Sequence, residues 1–310
     1  MKKIPIWIDT DAGVDDSIAI LCAAKTEALD IVGMSAVAGN VEVEHTFRNA
    51  RDIISLAGRE DIKVYRGADK PFLVPYKAAH HIHGENGLAD AVVPSSKAPI
   101  EIESVSDALY KKACELNGEL TVVAVGPLTN IAITIAKHPD FIQKIKQIAI
   151  MGGALIGGNI TPCAEFNIYA DPHAAQTVFK SGAKIIMAPL DVTLKAYITI
   201  DEIKEIGTFN NIQSNFFIES TPKSIKYHEI TLQGYVPHDL CPMWYLAYPE
   251  MFETIETSVY VETRGEITKG RTITDYWNGD GKLPKNNVTV MMGVKREEFG
   301  RKLVDIFKNY

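Results

Sequence analysis

Apolar and polar positions follow two rhythms along the chain. Short continuous apolar runs read as buried strands: "IPIWI" (4–8), "LDIVGMSAVAG" (29–39), "IKVYRG" (62–67), "LTVVAVG" (120–126), "IKQIAIMGG" (145–153) and "AKIIMAPLD" (183–191). Between them lie helical stretches at 15–26, at 41–58 (stopping at Gly58), at 128–139 and at 171–182. The last carries explicit punctuation, with Asp171 as N-cap, Pro172 in the first turn and Gly182 past the end. Strand–helix alternation with continuously apolar strands predicts an α/β fold, a mostly parallel central sheet covered by helices on both faces in a Rossmann-like way.

The C-terminal third changes rhythm. "SVYVETRGEITKGRTITDYW" (258–277) reads as a hairpin and "NNVTVMMGV" (286–294) as a strand. "REEFGRKLVDIF" (296–307) puts Phe299, Leu303 and Ile306 on one face of a closing helix. No repeat, low-complexity tract or Pro/Ser-rich linker interrupts the chain, so a single domain over 1–310 is expected. Two segments, 67–101 and 210–239, show little periodicity. They are expected to be irregular and to lie over the C-terminal edge of the sheet, where such segments serve as lids.

Composition narrows the classes of function. With 46% hydrophobic and 23% charged residues the chain is an ordinary globular one. A net charge of −7 offers no general surface for nucleic acid. The first apolar run stops after five residues and no stretch reaches membrane-spanning length, so no membrane partner is expected. Four cysteines without a C-x-x-C pair argue against zinc or a disulfide framework and for a cytoplasmic location.

Ligands of open parallel sheets bind beyond the carboxyl ends of the strands. Here those ends read Asp9-Thr10-Asp11, Ala38-Gly39-Asn40, Val125-Gly126-Pro127, Met151-Gly152-Gly153 and Leu190-Asp191. The first adjoins Asp15 and Asp16, which gathers four carboxylates within eight positions. An EF-hand is excluded, because counting from Asp9 puts Val14 and Ile20 where glycine and glutamate belong. A phosphate loop has no match. A phosphate-accepting aspartate suits Asp-Thr-Asp, but Ala12-Gly13-Val14 replaces the Gly-Thr pair it needs later. Helix first-turn acids account for Asp15 or Asp16 and leave Asp9 and Asp11 unexplained. A hard cation answers the whole cluster, and Ca²⁺, tolerant of irregular geometry, suits a site built from loops.

The motif "DTDAGVDD" (9–16) resembles the signature of the nucleoside hydrolase family, the inosine-uridine preferring nucleoside N-ribohydrolases. "AVAGN" (36–40), "HGENGL" (83–88), "VGPLTNIA" (125–132), "MGG" (151–153), "AEFNIYADPHAA" (164–175) and "PHDLCP" (237–242) follow in the family's order. The resemblance implies a Ca²⁺ held by Asp11, Asp16, the Val125 carbonyl and Asp239, with Asp11 also the general base. It further implies that Asp15 and Asn40, with Asn159, Glu165 and Asn167, grip the ribose, with Met151 packing nearby. His238 is the expected acid for the departing base; Tyr227 and Tyr235 are expected near the base, and His83 in the pocket. His80 and His81 match no family position, and Cys163 and Cys241 are expected only to pack.

The function so implied is calcium-dependent hydrolysis of ribonucleosides to free base and ribose, with an inosine-uridine or pyrimidine preference, in a homo-oligomer (dimer or tetramer). An aspartate-based Mg²⁺ phosphatase and a catalytically silent nucleoside-binding protein are the alternatives.

Overall fold

The computed structural model describes residues 2–228, 234–275 and 288–310. Twelve strands form among them: β1 (Ile4–Thr10), β2 (Leu29–Ala36), β3 (Val64–Arg66), β4 (Thr121–Ala124), β5 (Gln147–Met151), β6 (Ile185–Ala188), β7 (Ile198–Thr199), β8 (Gly234–Tyr235), β9 (Phe252–Thr257), β10 (Val259–Val261), β11 (Thr272–Thr274) and β12 (Val288–Val294). Eight make one sheet in the order β3-β2-β1-β4-β5-β6-β12-β9, parallel except for the antiparallel edge strand β9. The expected α/β architecture is therefore present. The expected hairpin is the antiparallel pair β10–β11, and β7 pairs with β8 in another small ribbon.

Period-two alternation sorts each strand's side chains between two cores. On one side Ile6 and Ile8 meet helices Val14–Lys25, Val43–Leu56, Leu240–Ala247 and Arg296–Lys308. On the other, Trp7, Val122 and Ala124 meet helices Val105–Leu116, Thr129–Lys137 and Pro172–Phe179. The caps of the last are as expected: Asp171 accepts from the Ala174 amide at 3.0 Å, and Gly182 has φ +82°.

Three expectations change. Segment 210–239 is largely helical, as Ile212–Ser220 and Pro222–His228. Asn211 caps the first by accepting from the Ser214 amide, and Pro222 opens the second. Phe216 and Phe217 pack inward, adjacent rather than at a helical interval, which hid the periodicity. In the closing helix Phe307 is fully buried, whereas Ile306 is only partly covered. Helices Val105–Leu116 and Leu240–Ala247 also went unread. The first is too charged to stand out, and the second is apolar all round because both its faces are covered. Segment 67–101, by contrast, contains only the short helix His80–His83 as a helix or strand element. No helix among the described residues is long and apolar enough to cross a membrane.

Candidate active site

Strand order reverses between β1 and β4, whose chains leave the sheet in opposite directions and open a crevice at their carboxyl ends. A cavity of about 450 Å³ lies there. Asp11, Asp15, Asn40, His83, Val125, Met151, Asn159, Glu165, Asn167, His238 and Asp239 all line it, together with Val14, Ala79, Ile82, Leu190, Leu194 and Ser224. The sequence thus brings residues from nine separate segments to one place.

Asp11 follows β1 and is clasped between backbones. Its Oδ2 accepts from the Asn40 amide at 2.8 Å, while Oδ1 is buried with no hydrogen-bond partner among the described residues. Gly39 and Gly126 flank it so closely that a Cβ on either would strike the carboxylate, which is why both positions are glycine. Asp16 does not line the cavity but sits wholly buried beneath it. It accepts from the Thr10 hydroxyl, from the Gly13 amide at 2.9 Å and from Asn40 Nδ2 at 3.1 Å. Carboxylate oxygens of Asp15, Asp16 and Asp239 all lie within 4.8 Å of one another. This trio differs from the expected carboxylate set by containing Asp15 in place of Asp11. Asp11 borders it, and the charge of Asp16 bears on it.

Burial is the main force on these acids, and their mutual repulsion adds to it. It lifts Asp11 well above the usual carboxylate range, with Asp16 and Asp15 pushing further. Asp239 is raised in the same way by burial and by Asp15 and Asp16, and Asp16 by burial. Asp15 reaches about 7 through burial and the charge of Asp16. Asp9, behind the cluster, also reaches about 7 by burial, although Ser35 and Asn130 donate to it. Such a group of acids is stable only when it shares protons or surrounds a cation. An all-oxygen donor set with an orphaned, buried Asp11 oxygen fits a hard divalent cation.

The opposite wall is built for neutral polar contacts. Glu165, 2% exposed, caps helix Phe166–Ala170; its carboxylate accepts from the amides of Gly153 (2.8 Å), Asn167 (2.9 Å) and Ile168 (3.3 Å). Burial still outweighs these donors and carries it to about 7. Asn167 Nδ2 donates to the carbonyls of Val125 (2.9 Å) and Met151 (3.2 Å), tying the ends of β4 and β5 together. Asn159 Oδ1 accepts from the Phe166 amide at 2.9 Å. His83 Nδ1 accepts from the Val14 amide at 3.2 Å, so its ring is fixed against the loop that carries the acids. His238, across the cavity, meets the Thr193 hydroxyl through Nδ1 at 2.8 Å.

Tyr235 is not a cavity residue. It is fully buried on β8 with its ring edge-on to Phe217, and its hydroxyl has no hydrogen-bond partner among the described residues. Pairing with β7 pulls it into the core, away from a base. The side chain of Tyr227 lies outside the described residues, as do that of His81 and all of Trp277. His80 turns outward to Glu42 at 3.3 Å. Cys163 and Cys241 both lie off the cavity, as expected. Trp7 and Trp244 are core residues.

Sequence reasoning missed the supports. Thr10 and Asn130 stood inside quoted motifs, and that place beside the motif residues was the available signal. Thr193 lies 45 residues from His238 and carried none.

The family model described as inosine-uridine preferring nucleoside hydrolase matches residues 6–301. The pyrimidine-specific ribonucleoside hydrolase RihA of Escherichia coli (strain SMS-3-5 / SECEC) is 39% identical over 310 residues, 99% of each chain. Among solved structures, the plant nucleoside hydrolase PpNRh1 aligns with a TM-score of 0.93 at 31% identity, covering 100% of both chains. The purine-preferring ribonucleoside hydrolase from Gardnerella vaginalis aligns with a TM-score of 0.90 at 33% identity, covering 99% of this chain and 100% of that one. With these likenesses across its whole length and this site at the switch point of its sheet, the chain belongs to the inosine-uridine preferring nucleoside hydrolase family and is a ribonucleoside hydrolase, acting on N-glycosyl bonds.

Proposed function

We propose that the enzyme works as one domain that uses Ca²⁺ to release free base and ribose from uridine, cytidine and inosine. The observation that carries this reading is the buried acid cluster with its orphaned Asp11 oxygen, facing a wall of hydroxyl-binding groups across one cavity. Asp11, Asp16, Asp239 and the Val125 carbonyl would hold the cation, with Asp15 beside them. When bound, Ca²⁺ lowers the pKa of water and anchors vicinal hydroxyls.

Asp11 takes the proton of the attacking water. Burial and the neighbouring Asp16 and Asp15 raise its proton affinity, which strengthens it as a base. Cleavage of an N-ribosidic bond develops positive charge on the sugar. Asp15 and Glu165 face that charge, and their field favours it most where water is excluded. Asp15 accepts from the 2′ hydroxyl, while Asn40, Asn159, Glu165 and Asn167 grip the ribose. Met151 packs against the ring. Fixing the sugar in this way removes much of the entropic cost of reaching the reactive geometry. His238 gives its proton to the departing base, as His83 borders the same space from the other segment.

The pyrimidine preference is supported by the 39% identity to a pyrimidine-specific enzyme and by the absence of any described tryptophan from the cavity lining. Chromatography of uridine, cytidine, inosine and adenosine incubations, with calcium and after chelation, tests the reading. Free ribose and base should appear with the first three and cease on chelation. Binding without turnover would favour a silent receptor, and phosphate release from phosphomonoesters a phosphatase.

A further inference from the structure

Three buried helical threonines of this fold, Thr26, Thr134 and Thr221, each donate to the carbonyl four residues earlier, at 2.8 Å in every case. Thr193 does not. It ends the short helix Leu190–Thr193 that follows β6, is 0% exposed, and its hydroxyl has His238 Nδ1 as its hydrogen-bond partner among the described residues. Thr193 is absent from the cavity lining, whereas His238 is part of it. The ring of this cavity residue is therefore held through Nδ1 by a residue outside the lining.

We infer that Thr193 is a positioning residue for base departure: its hydroxyl holds His238 through Nδ1 so that Nε2 presents a proton to the leaving base. This rests on the reading of His238 as the leaving-group acid. A hydroxyl is well suited because it both donates and accepts. It donates to the bare Nδ1 of the neutral Nε2–H ring, and after rotation accepts from the Nδ1–H of the imidazolium. During cleavage the C–N bond breaks with its electron pair going to the base. The Nε2 proton passes to that base, and the ring is left neutral with its Nδ1–H accepted by Thr193. The sugar takes up hydroxide from the attacking water, whose other proton goes to Asp11. A carboxylate in the same place would add a charge to a region already crowded with acids; a hydroxyl adds none.

Thr193→Val keeps the side-chain shape and deletes the hydroxyl, and Thr193→Ser keeps the hydroxyl. Steady-state kinetics on uridine and on p-nitrophenyl riboside, whose nitrophenolate leaves without a proton, separate the outcomes. General acid help is worth about 10²–10⁴-fold, and a ring free to turn should lose part of it. Thr193→Val should lower kcat on uridine about 10–100-fold with KM nearly unchanged, leave the nitrophenyl substrate within about twofold, and be rescued by Thr193→Ser. In a His238→Ala background it should have no further effect. If His238→Ala itself slows both substrates equally, the acid assignment fails. If His238→Ala is selective for uridine but Thr193→Val slows both substrates or neither, the positioning role alone is wrong. Should Thr193→Val not fold, Thr193→Ala is read by the same criteria.

Discussion

Replacing Glu165 by glutamine removes a charge from the sugar side of the cavity while keeping the shape of the side chain, and the structure says what this does to stability. Glu165 is 2% exposed and reaches about 7 because burial outweighs its three amide donors, against an ordinary value of 4.5. The folded chain therefore keeps this proton up to about pH 7, whereas the unfolded chain releases it near 4.5. Between those limits the folded state binds more protons, so stability falls as pH rises through the window. At about 1.36 kcal/mol per pH unit the full loss is about 3.4 kcal/mol. Glutamine does not titrate, but its Nε2 cannot accept, so it gives up at least one of the three amide bonds at every pH. The stability of Glu165→Gln relative to metal-free wild type should therefore rise by about 3 kcal/mol from pH 5 to pH 8.5, whatever its constant offset. With an unfolding entropy of about 2.1 cal/mol/K per residue, a chain of 310 residues would show this as a change of roughly 5 °C in the Tm difference. Scanning calorimetry in chelator at the two pH values measures it, and the other acids, common to both proteins, cancel in the comparison. Hydrolysis should move the opposite way, with kcat falling because the charge facing the sugar is gone. A Tm difference that does not change with pH would refute the reasoning, since Glu165 would then not be held protonated by its burial.

Asp11→Asn should keep the fold and lose most turnover, because an amide cannot take the proton of water; kcat measured beside metal content separates this loss from weakened metal binding, and near-normal activity at full occupancy would remove Asp11 as the base. Deoxyuridine should be cleaved with far lower kcat/KM than uridine, by as much as about 10⁴-fold, because Asp15 and Asn40 would be left unpaired; comparable values would contradict the grip. Tyr235→Phe should leave kcat/KM for uridine within about twofold and should not lower Tm, since its hydroxyl is buried without a partner and its removal relieves a cost of about 1–3 kcal/mol; a tenfold rise in KM would return Tyr235 to the substrate.

The strands were legible because each is short, apolar and followed by a turn, and because two-sided burial confines polar positions to the strand ends. The acid cluster was legible for the opposite reason, as charge where burial was expected. What could not be read depends on distance along the chain. Nothing local to Tyr235 announces that β7 will pair with β8 and carry it into the core. Nothing near Thr193 points to His238, and the inclusion of Asp15 in the tight trio is decided by how the helix beginning at Val14 meets the loop before Leu240. The helices within 210–228 escaped because they carry no single apolar stripe: in the first, Phe216 and Phe217 are buried side by side while Ile212 is exposed.

The placement of β1 in the middle of the sheet also sets a timetable for the living cell. Asp11, Asp15 and Asp16 leave the ribosome early, whereas Asp239 follows only after about 230 further residues. At roughly 5–20 residues per second the interval is about 10–45 seconds. During it the neighbours β4, β5 and β6 emerge one after another, and the early acids have neither their last companion nor the walls that desolvate them. A cation held by this cluster would therefore act only late, as a seal on a nearly finished sheet and not as a seed for it. A nascent chain stalled before Asp239 should compete poorly for calcium, however complete its first strands.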